Sequence, residues 1–557
     1  MLLVATSWGI IGVSAFLWGA AVLSALQRIE PFEQTQSGVT LRFMLGLCAL
    51  TVYAEFFSLF YKVGRFALAG VLMGDIIFLF LQRKTFAQML ENLKKKCGAP
   101  WMFLASAVAF VFVLPSASSY IENYDTLLYH AQAIRWIEEY GVVKGIGNLH
   151  SRLAFNSAFF PLQALFSFKD IAGQSLHSMN GFVAWVMLAY AVCSMKFWRE
   201  RRFFPSDFVR LVTLHYLDVV HYDFSSPGTD LFAQLLSLFI LAEFLSCAER
   251  QEKNPAPASV LCILGVFVVT LKLSCALIVL LTILPAVLLI REKKWKGIAA
   301  YLMAGIVILL PFFVRNVIIS GYLIYPMEKI DLFHVAWKMP PDVCAYERLR
   351  SKAATEGIFG IEALDAPFSV WFPYWQAKQD PYILRLLCAD TAACLATLAA
   401  GAITWIRKKE AGYLVTAFTV SASLLYWFMA APDVRYGRPF VMLPAYFAVG
   451  WLLSRLKMKQ IATVSLAGMV FLCSTPIRGL YASARAAERF WIRCADYGLT
   501  EVVKVPFGDF SLYIPDGEIG YDTAGYYAFP AAISAEVLDN VEPLGSQIKD
   551  GFRVRTD

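Results

Sequence analysis

Long apolar stretches separated by short basic links constrain this chain more than any other feature. About fourteen stretches are long enough to cross the roughly 30 Å hydrocarbon core of a bilayer. A mean hydropathy of +0.57 and a charged content of only 16% leave too little polar surface to cover a soluble globule. We therefore expect an all-α polytopic membrane protein. The stretches lie near residues 2–26, 40–61, 63–81, 100–117, 172–195, 207–222, 229–248, 259–271, 274–290, 298–318, 385–405, 411–431, 438–454 and 460–476.

The basic links all fall on one side of the membrane when these stretches are threaded in order. By the positive-inside tendency that side is the cytoplasm, and the conspicuous polar clusters then lie on the extracytoplasmic side. The net charge of +7 is explained by these links, so no nucleic-acid partner is expected. The links are residues 82–96, 196–202, 291–296, 407–409 and 455–459.

The threading divides the chain into a transmembrane helix bundle, residues 1–476, and an extracytoplasmic tail, residues 477–557. The tail contains strand-like runs at 501–505 and 510–514, which predict a small α+β appendage. Two long outside loops interrupt the bundle, at residues 118–160 and 319–384.

The loop 118–160 contains apolar residues at helical spacing, including Ile134 and Ile137. This pattern predicts an interfacial helix, with Trp136 as a membrane anchor. Farther along, Lys272 interrupts two short apolar stretches within Thr270–Ser274. A break of this kind is typical of a cavity lining, although a lysine snorkelling from ordinary spans explains it equally well.

Asp125 begins the most suggestive polar cluster. Residues four or five positions apart share one side of a helix, so Asp125, Tyr129 and His130 can point into one cleft. A carboxylate beside apolar walls can act as a general base. The alternative is that Asp125 caps the helix that begins near Thr126.

Three short motifs resemble those of GT-C type membrane glycosyltransferases. The first is Tyr124–His130 followed by Trp136, a D-x-x-x-Y-H-x-x-x-x-x-W string. The second is Pro311–Asn316 with Gly321 and Pro326, in which Phe312 stands where the family usually has Trp. The third is the turn Pro432–Tyr436, similar to a D-x-R-Y/F element.

The resemblance implies an inverting transferase that takes a sugar from a polyprenyl-phosphate donor and passes it to a cell-envelope glycan or lipid. Asp125 would be the catalytic base and His130 would orient it. The remaining substrate-binding candidates are Tyr129, Lys272, Arg315, Asn316, Asp433, Arg435 and Tyr436, in which the cations would hold the phosphate. Arg315 as an interfacial anchor and Asp433–Arg435 as a local salt bridge are the structural alternatives.

A second polar group, His221, Asp223 and Asp230, flanks a Gly-Pro break and could contact the acceptor, or form a simple polar hairpin. We expect no cofactor and no metal, because a lone carboxylate with one histidine is a poor site for a hard cation. A three-ligand metal site of His215, Asp218 and His221 is conceivable from helical spacing. A disulfide between the outside residues Cys344 and Cys494 is also possible.

Two other functions fit a chain of this class. A transporter or flippase for lipid-linked oligosaccharides would use Lys272 and the broken helix as part of a path. A polysaccharide polymerase or ligase would concentrate arginines in its largest loop, where this chain has Arg348 and Arg350. The outside segments lack an Asn-x-Ser/Thr sequon, which together with the motifs favours a bacterial inner membrane with a periplasmic active face and a periplasmic C-terminus.

Overall fold

The computed structural model of the protein describes residues 1–32, 38–81, 83, 100–358, 364–455, 490–516 and 523–555, and most of them are helical. The α-helices are α1 (Leu2–Ile29), α2 (Gly38–Ser58), α3 (Arg65–Leu81), α4 (Pro100–Ala117), α5 (Ala131–Tyr140), α6 (Phe159–Leu165), α7 (Lys169–Ala172), α8 (Met179–Cys193), α9 (Phe197–Glu200), α10 (Pro205–Val219), α11 (Asp230–Glu249), α12 (Ala256–Leu271), α13 (Ile283–Arg291), α14 (Trp295–Ser320), α15 (Pro341–Glu356), α16 (Phe368–Lys378), α17 (Pro381–Lys408), α18 (Gly412–Ala430), α19 (Val434–Leu453) and α20 (Ala535–Asp539). A π-helical turn covers Thr126–His130, and 3-10 segments cover Ile146–Asn148, Ser151–Ala154, His221–Ser225, Leu273–Thr282 and Ile548–Asp550.

Within the described ranges, eight helical segments are long and apolar enough to cross a membrane. The chain is therefore a multi-pass helical membrane protein. The larger number of about fourteen spans stays a prediction, and the last predicted span, 460–476, lies outside the described residues. The eight segments are Leu2–Ile29, Gly38–Ser58, Met179–Glu200, Asp230–Glu249, Leu273–Arg291, Trp295–Ser320, Pro381–Lys408 and Gly412–Ala430.

Helix α11 lies at the centre of the bundle. Every residue from Leu231 to Cys247 is buried, as expected for a helix that is apolar on all sides. It packs against α8, α10, α12, α18 and α19. Because successive helices run in opposite directions, α11 begins at the end of the bundle where α10 and α12 finish. Asp230, the first residue of α11, is thereby placed beside the last residues of both neighbours.

The backbone is broken at Lys272, as the sequence predicts. Helix α12 ends at Leu271, Lys272 is extended, and a ten-residue 3-10 segment follows before α13 begins. Runs of 3-10 helix this long are uncommon. Other parts of the chain bind the broken region: the Ala158 amide donates to the carbonyl of Thr270 at 2.9 Å, and the Ser274 hydroxyl donates to the carbonyl of Tyr436 at 3.1 Å. Hydrogen bonds from two other segments therefore stabilise the break in the helix.

The tail contains the predicted strands. β1 (Val502–Phe507) and β2 (Phe510–Pro515) pair antiparallel, with Val502 opposite Pro515. A second antiparallel pair, β3 (Val541–Pro543) and β4 (Phe552–Val554), was not predicted, since each strand has only three residues. Together with α20, these strands confirm a small α+β region in the described part of the tail.

The tail packs against the loop 118–160, and this packing corrects one prediction. The predicted helix exists as α5, but Trp136 is only 1% exposed and does not anchor the protein in a membrane. Its ring contacts Tyr140, Phe529 and Phe552, at centroid distances of 5.6, 5.0 and 6.1 Å. The apolar face of α5 is therefore covered by protein. The second long loop, 319–384, contains two further helices, α15 and α16.

The two outside cysteines are not paired. Cys344 and Cys494 are both free and buried, and they belong to different hydrophobic clusters. Burial accounts for them as small core residues, which is the usual role of a buried free cysteine.

Candidate active site

Asp125 stands at the start of the π-helical turn Thr126–His130. Its carboxylate makes no capping hydrogen bond to that turn, so the capping alternative is wrong. The turn is fixed instead by Thr126, whose hydroxyl is buried and lies 2.8 Å from the hydroxyl of Ser226. A π turn has more residues per turn than an α-helix, and such turns are frequent at functional sites. It leaves the Asp125 carboxylate free to face other segments.

Arg435 reaches across to this carboxylate. One terminal guanidinium nitrogen of Arg435 lies 2.7 Å from Oδ2 of Asp125, although the residues are 310 positions apart in sequence. Asp433 does not form a local salt bridge with the Arg435 side chain. Its carboxylate caps α19 by accepting from the Arg435 backbone N–H at 2.8 Å, and its carbonyl accepts from the Trp427 indole at 2.7 Å. The predicted motif Pro432–Tyr436 therefore fixes the backbone that carries Arg435.

A second carboxylate completes the cluster. Asp230 forms an ion pair with Lys272 and lies 3.7 Å from Nε of Arg435. The Tyr436 hydroxyl accepts from Arg435 at 2.8 Å, and the Lys272 ammonium lies 4.6 Å from the centroid of the same ring. Lys272 is thus paired inside the protein, and the snorkelling alternative is wrong. Four distant segments supply two carboxylates and two cations to one place.

Helix α19 bends at Gly437 so that these residues can converge. Gly437 is buried and its backbone is non-helical. A Cβ atom at this position would lie 2.3 Å from the Trp427 ring, which is closer than real side chains approach. Gln234 of α11 holds the bend from the other side by donating to the Arg435 carbonyl at 2.7 Å.

Nearby charges set the protonation of Asp125, whereas burial sets that of His130. Burial raises the pKa of Asp125, but the charges of Arg435, His130 and Lys272 outweigh burial, and the pKa falls below its ordinary value. Burial lowers the pKa of His130 to about 4, partly offset by Asp125. Near neutral pH the pair is therefore an ionised carboxylate beside a neutral imidazole. The ring centroids of Tyr129 and His130 lie 4.3 Å apart, and those of His130 and Phe160 lie 5.5 Å apart.

The second predicted polar group is only partly brought to this place. Asn123 donates to Oδ1 of Asp223 at 3.0 Å, which ties the 3-10 segment after α10 to the Asp125 loop. Burial raises the pKa of the Asp223 carboxyl, against hydrogen bonding by Asn123. His221 has its Nδ1 2.7 Å from the Asp218 carbonyl, and no hydrogen bond or ion pair joins its side chain to Asp125 or Asp230. Of this group, Asp230 is central, Asp223 lies at the edge and His221 is peripheral.

Arg315 and Asn316 belong to a separate buried group. Arg315 is 2% exposed, donates to the Ser58 hydroxyl at 2.5 Å and to Oδ1 of Asn156 at 3.3 Å, and interacts electrostatically with Glu55. Asn316 donates to the Leu323 carbonyl at 2.8 Å. The cavity beside Arg315 is lined by residues such as Phe155, Phe160 and Trp136 and not by Asp125. Among the described residues Arg315 therefore bonds to a different group from Arg435, and with 2% of it exposed Arg315 is no interfacial anchor.

Sequence reasoning missed Arg438. It follows the bend of α19 and is half-buried, and it forms no hydrogen bond or ion pair with a described residue. Its charge acts on both Tyr222 and Asp223. The signal was present as a second arginine three positions after Arg435, in the string Arg435–Arg438. Arg438 is thus a cation near Tyr222 and Asp223 that no described residue neutralises by direct contact.

The described residues contain no group of three His, Cys, Asp or Glu side chains that could hold a metal ion. His215, one member of the conceivable three-ligand set, instead has its Nδ1 2.9 Å from the Tyr446 hydroxyl. What the arrangement offers chemically is an ionised carboxylate, a neutral imidazole and fixed positive charges at the end of a helix bundle.

The fold and this cluster define a multi-pass helical membrane protein with a polar site built from several inter-helix segments. A family model described as a domain of unknown function, DUF8201, matches residues 1–442, and the chain belongs to this family. The match includes every residue of the cluster around Asp125 and ends before the tail. No curated protein and no solved structure matches the chain.

Proposed function

We propose that the protein is a membrane glycosyltransferase that moves a sugar from a polyprenyl-phosphate donor to a cell-envelope glycan or lipid. The observation that carries the proposal is the direct contact between Asp125 and Arg435. Two of the three motifs that resemble GT-C enzymes supply these two residues, and the fold brings them within 2.7 Å of each other. Sequence resemblance and spatial convergence are independent supports for the same site.

In the proposed reaction an acceptor hydroxyl attacks the anomeric carbon of the donor sugar. The new C–O bond forms as the bond from that carbon to the phosphate oxygen breaks, and the phosphate keeps the electron pair. The hydroxyl proton passes to the Asp125 carboxylate, which is ionised before the step because its pKa lies below the ordinary value. A carboxylate with a lowered pKa is a weak base, so the proton moves as the new C–O bond forms and not before it. Attack opposite the leaving group inverts the anomeric carbon.

The leaving phosphate needs positive charge in the transition state. Arg438 is best suited to supply it, because Arg435 and Lys272 are already paired with carboxylates. Arginine also matches phosphate geometry through two parallel N–H donors. Neutral His130, packed against Tyr129, would orient the acceptor or Asp125 and not carry charge.

We also propose the membrane and the orientation in which the protein works. The lipid-linked donor would come from a bacterial inner membrane, with Asp125 and the tail on the periplasmic side, as the basic links suggest. No cofactor takes part in the chemistry.

A flippase for lipid-linked oligosaccharides is the second candidate. The ion pair of Lys272 and Asp230 beside a broken helix favours it, since paired charges at interrupted helices often line transport paths. A polymerase or ligase has less support, because Arg348 of the large loop is paired with Glu328 at 2.9 Å.

The test is transfer from a radiolabelled polyprenyl-phosphate sugar by the full chain in lipid vesicles. Wild type should release polyprenyl phosphate, and Asp125→Asn should not. Arg553→Gln, which changes an ion pair in the tail, is the control and should keep activity. Equal release by wild type and Asp125→Asn would remove Asp125 from the mechanism. Transbilayer movement of the donor without release would establish the flippase instead.

A further inference from the structure

The described part of the tail, residues 490–516 and 523–555, holds the loop that carries Asp125 through an unusually complete set of contacts. Backbone amides of the tail donate to loop carbonyls at four places, Ala495 to Ser118, Gly525 to Leu127, Phe552 to Lys144 and Ile533 to Leu149. The bond to Leu127, 3.0 Å long, falls within the π-helical turn itself. The tail thus binds the loop before, within and after the turn.

Gln132 provides the strongest side-chain contact between the two. It is 2% exposed, and its amide nitrogen donates to the carbonyls of Gly525 and Ala528, at 2.7 and 2.8 Å. Arg135, one turn later on α5, donates to the Tyr526 carbonyl at 2.6 Å and stacks its guanidinium between the rings of Tyr526 and Phe529. Two polar residues of α5 therefore bind the backbone of one tail segment.

A buried polar network adds to this contact. The Tyr526 hydroxyl donates to Glu138 at 2.6 Å, and Nε2 of His177 lies 2.9 Å from the other oxygen of that carboxylate. Nδ1 of His177 in turn lies 2.6 Å from the Tyr497 hydroxyl. The rings of Tyr497 and Tyr526 stack at 4.7 Å. Hydrogen bonding by His177 and Tyr526 outweighs burial and lowers the pKa of Glu138. Satisfied buried networks of this kind fix a unique geometry.

We propose that the C-terminal segment is a positioning clamp for the Asp125 loop, with Gln132, Glu138, His177 and Tyr526 as its principal residues. The clamp sets where the carboxylate of Asp125 stands relative to Arg435. None of its four residues touches the Asp125–Arg435 contact, so they act through the π turn and α5. The structural half of the proposal does not depend on the enzyme's activity; the catalytic half rests on the proposed function.

Gln132→Glu is the sharpest variant, because it keeps the size of the side chain and removes the donor that both tail carbonyls need. Tyr526→Phe removes only a hydroxyl. Arg553→Gln lies in the same tail at the partly exposed pair with Glu542 and is the matched control. All three are made in the full chain.

The first measurement is amide hydrogen exchange of residues 126–130. We expect about tenfold or faster exchange in Gln132→Glu, since two hydrogen bonds are lost, and a smaller increase in Tyr526→Phe. Exchange in α11, the central helix, should not change, and Arg553→Gln should match wild type throughout. Unchanged exchange at 126–130 in Gln132→Glu would overturn the clamp, and so would an equal increase in α11, which would indicate general unfolding.

The second measurement is sugar transfer by the same variants. A displaced base should lower kcat by about tenfold or more with little change in donor KM, because misplacement by about 1 Å can cost 100-fold. An equal loss in Arg553→Gln would overturn a positioning role. If wild type transfers no sugar, the proposed function fails, while the exchange result still decides whether the tail clamps the loop.

Discussion

Two arginines of this protein show how differently a positive charge can be placed in one fold. Arg435 keeps 30% of its side chain exposed and contacts carboxylates from two other segments. Arg315 is 2% exposed and bonds to neutral oxygens of Ser58 and Asn156, with Glu55 as its electrostatic partner. The first group is partly exposed to solvent, at 30% for the Arg435 side chain and 19% for that of Asp125. The second is enclosed, which suits a role in holding helices together.

The difference teaches that a motif match does not by itself give a role. Both arginines stand in strings that resemble the same family, yet only Arg435 reaches Asp125. Buried polar groups that bond only to protein contribute to the specific geometry of a fold, whereas partly open ones are available for chemistry. Substituting one residue of each group at a time tests whether the two arginines differ in role.

The largest expected effect is on transfer in Asp125→Asn. Loss of a positioned acid–base group lowers rate by about 100- to 10,000-fold, while Arg435 retains Asp230 as a partner, so stability should change little. The measurement is single-turnover transfer beside thermal unfolding in the same detergent. A variant that unfolds instead of losing only turnover would place Asp125 with the structural group.

Next in size is the stability loss in the enclosed group. Arg315→Met removes a buried guanidinium that donates to Ser58 and Asn156, and Glu55→Gln removes its electrostatic partner, so each should lower the free energy of unfolding, Arg315→Met by about 1–3 kcal/mol. The double variant should be less destabilised than the sum of the two, as chemical denaturation of all four proteins would measure. Additive losses would mean that the two charges do not interact.

A smaller effect on donor binding is expected at Arg438, which has no ion-pair partner among the described residues. Arg438→Gln should raise the donor KM by about tenfold, the equivalent of about 1.4 kcal/mol of binding. Arg348→Gln, in the large second loop, is the control and should leave KM unchanged. If Arg348→Gln raised the donor KM and Arg438→Gln did not, the result would favour a polymerase or ligase.

The smallest effect concerns pH. Arg435 lowers the folded-state pKa of Asp125, so Arg435→Gln should raise it. Because the ionised carboxylate is the active form, the acid limb of kcat/KM should move to higher pH, with activity lost earlier as pH falls. A pH profile of the variant against wild type measures the shift, and an unmoved limb would show that Asp125 does not set it.

Much of the fold follows from local patterns in the sequence. Apolar length predicted the helices, an interrupted apolar stretch predicted the break at Lys272, and alternation predicted β1 and β2. The Asp125 loop was predicted to contain an interfacial amphipathic helix. The protein segment that covers this helix was not predicted, since no local pattern indicates that Phe529 and Phe552 will pack on Trp136. The same reason applies to Asp230, which ranked low as a hairpin residue and lies at the centre of the cluster. Long-range pairing depends on how helices stack, and short motifs do not encode it.

The bend at Gly437 has a consequence for how this site can vary. Arg435 lies on one side of it and Arg438 on the other, and the Trp427 ring fills the space that any side chain at 437 would need. A single methyl group there would push the start of α19 away from α18 and displace both guanidinium groups together. One atom of added bulk, without the loss of any charge, would therefore move two guanidinium groups in a single step.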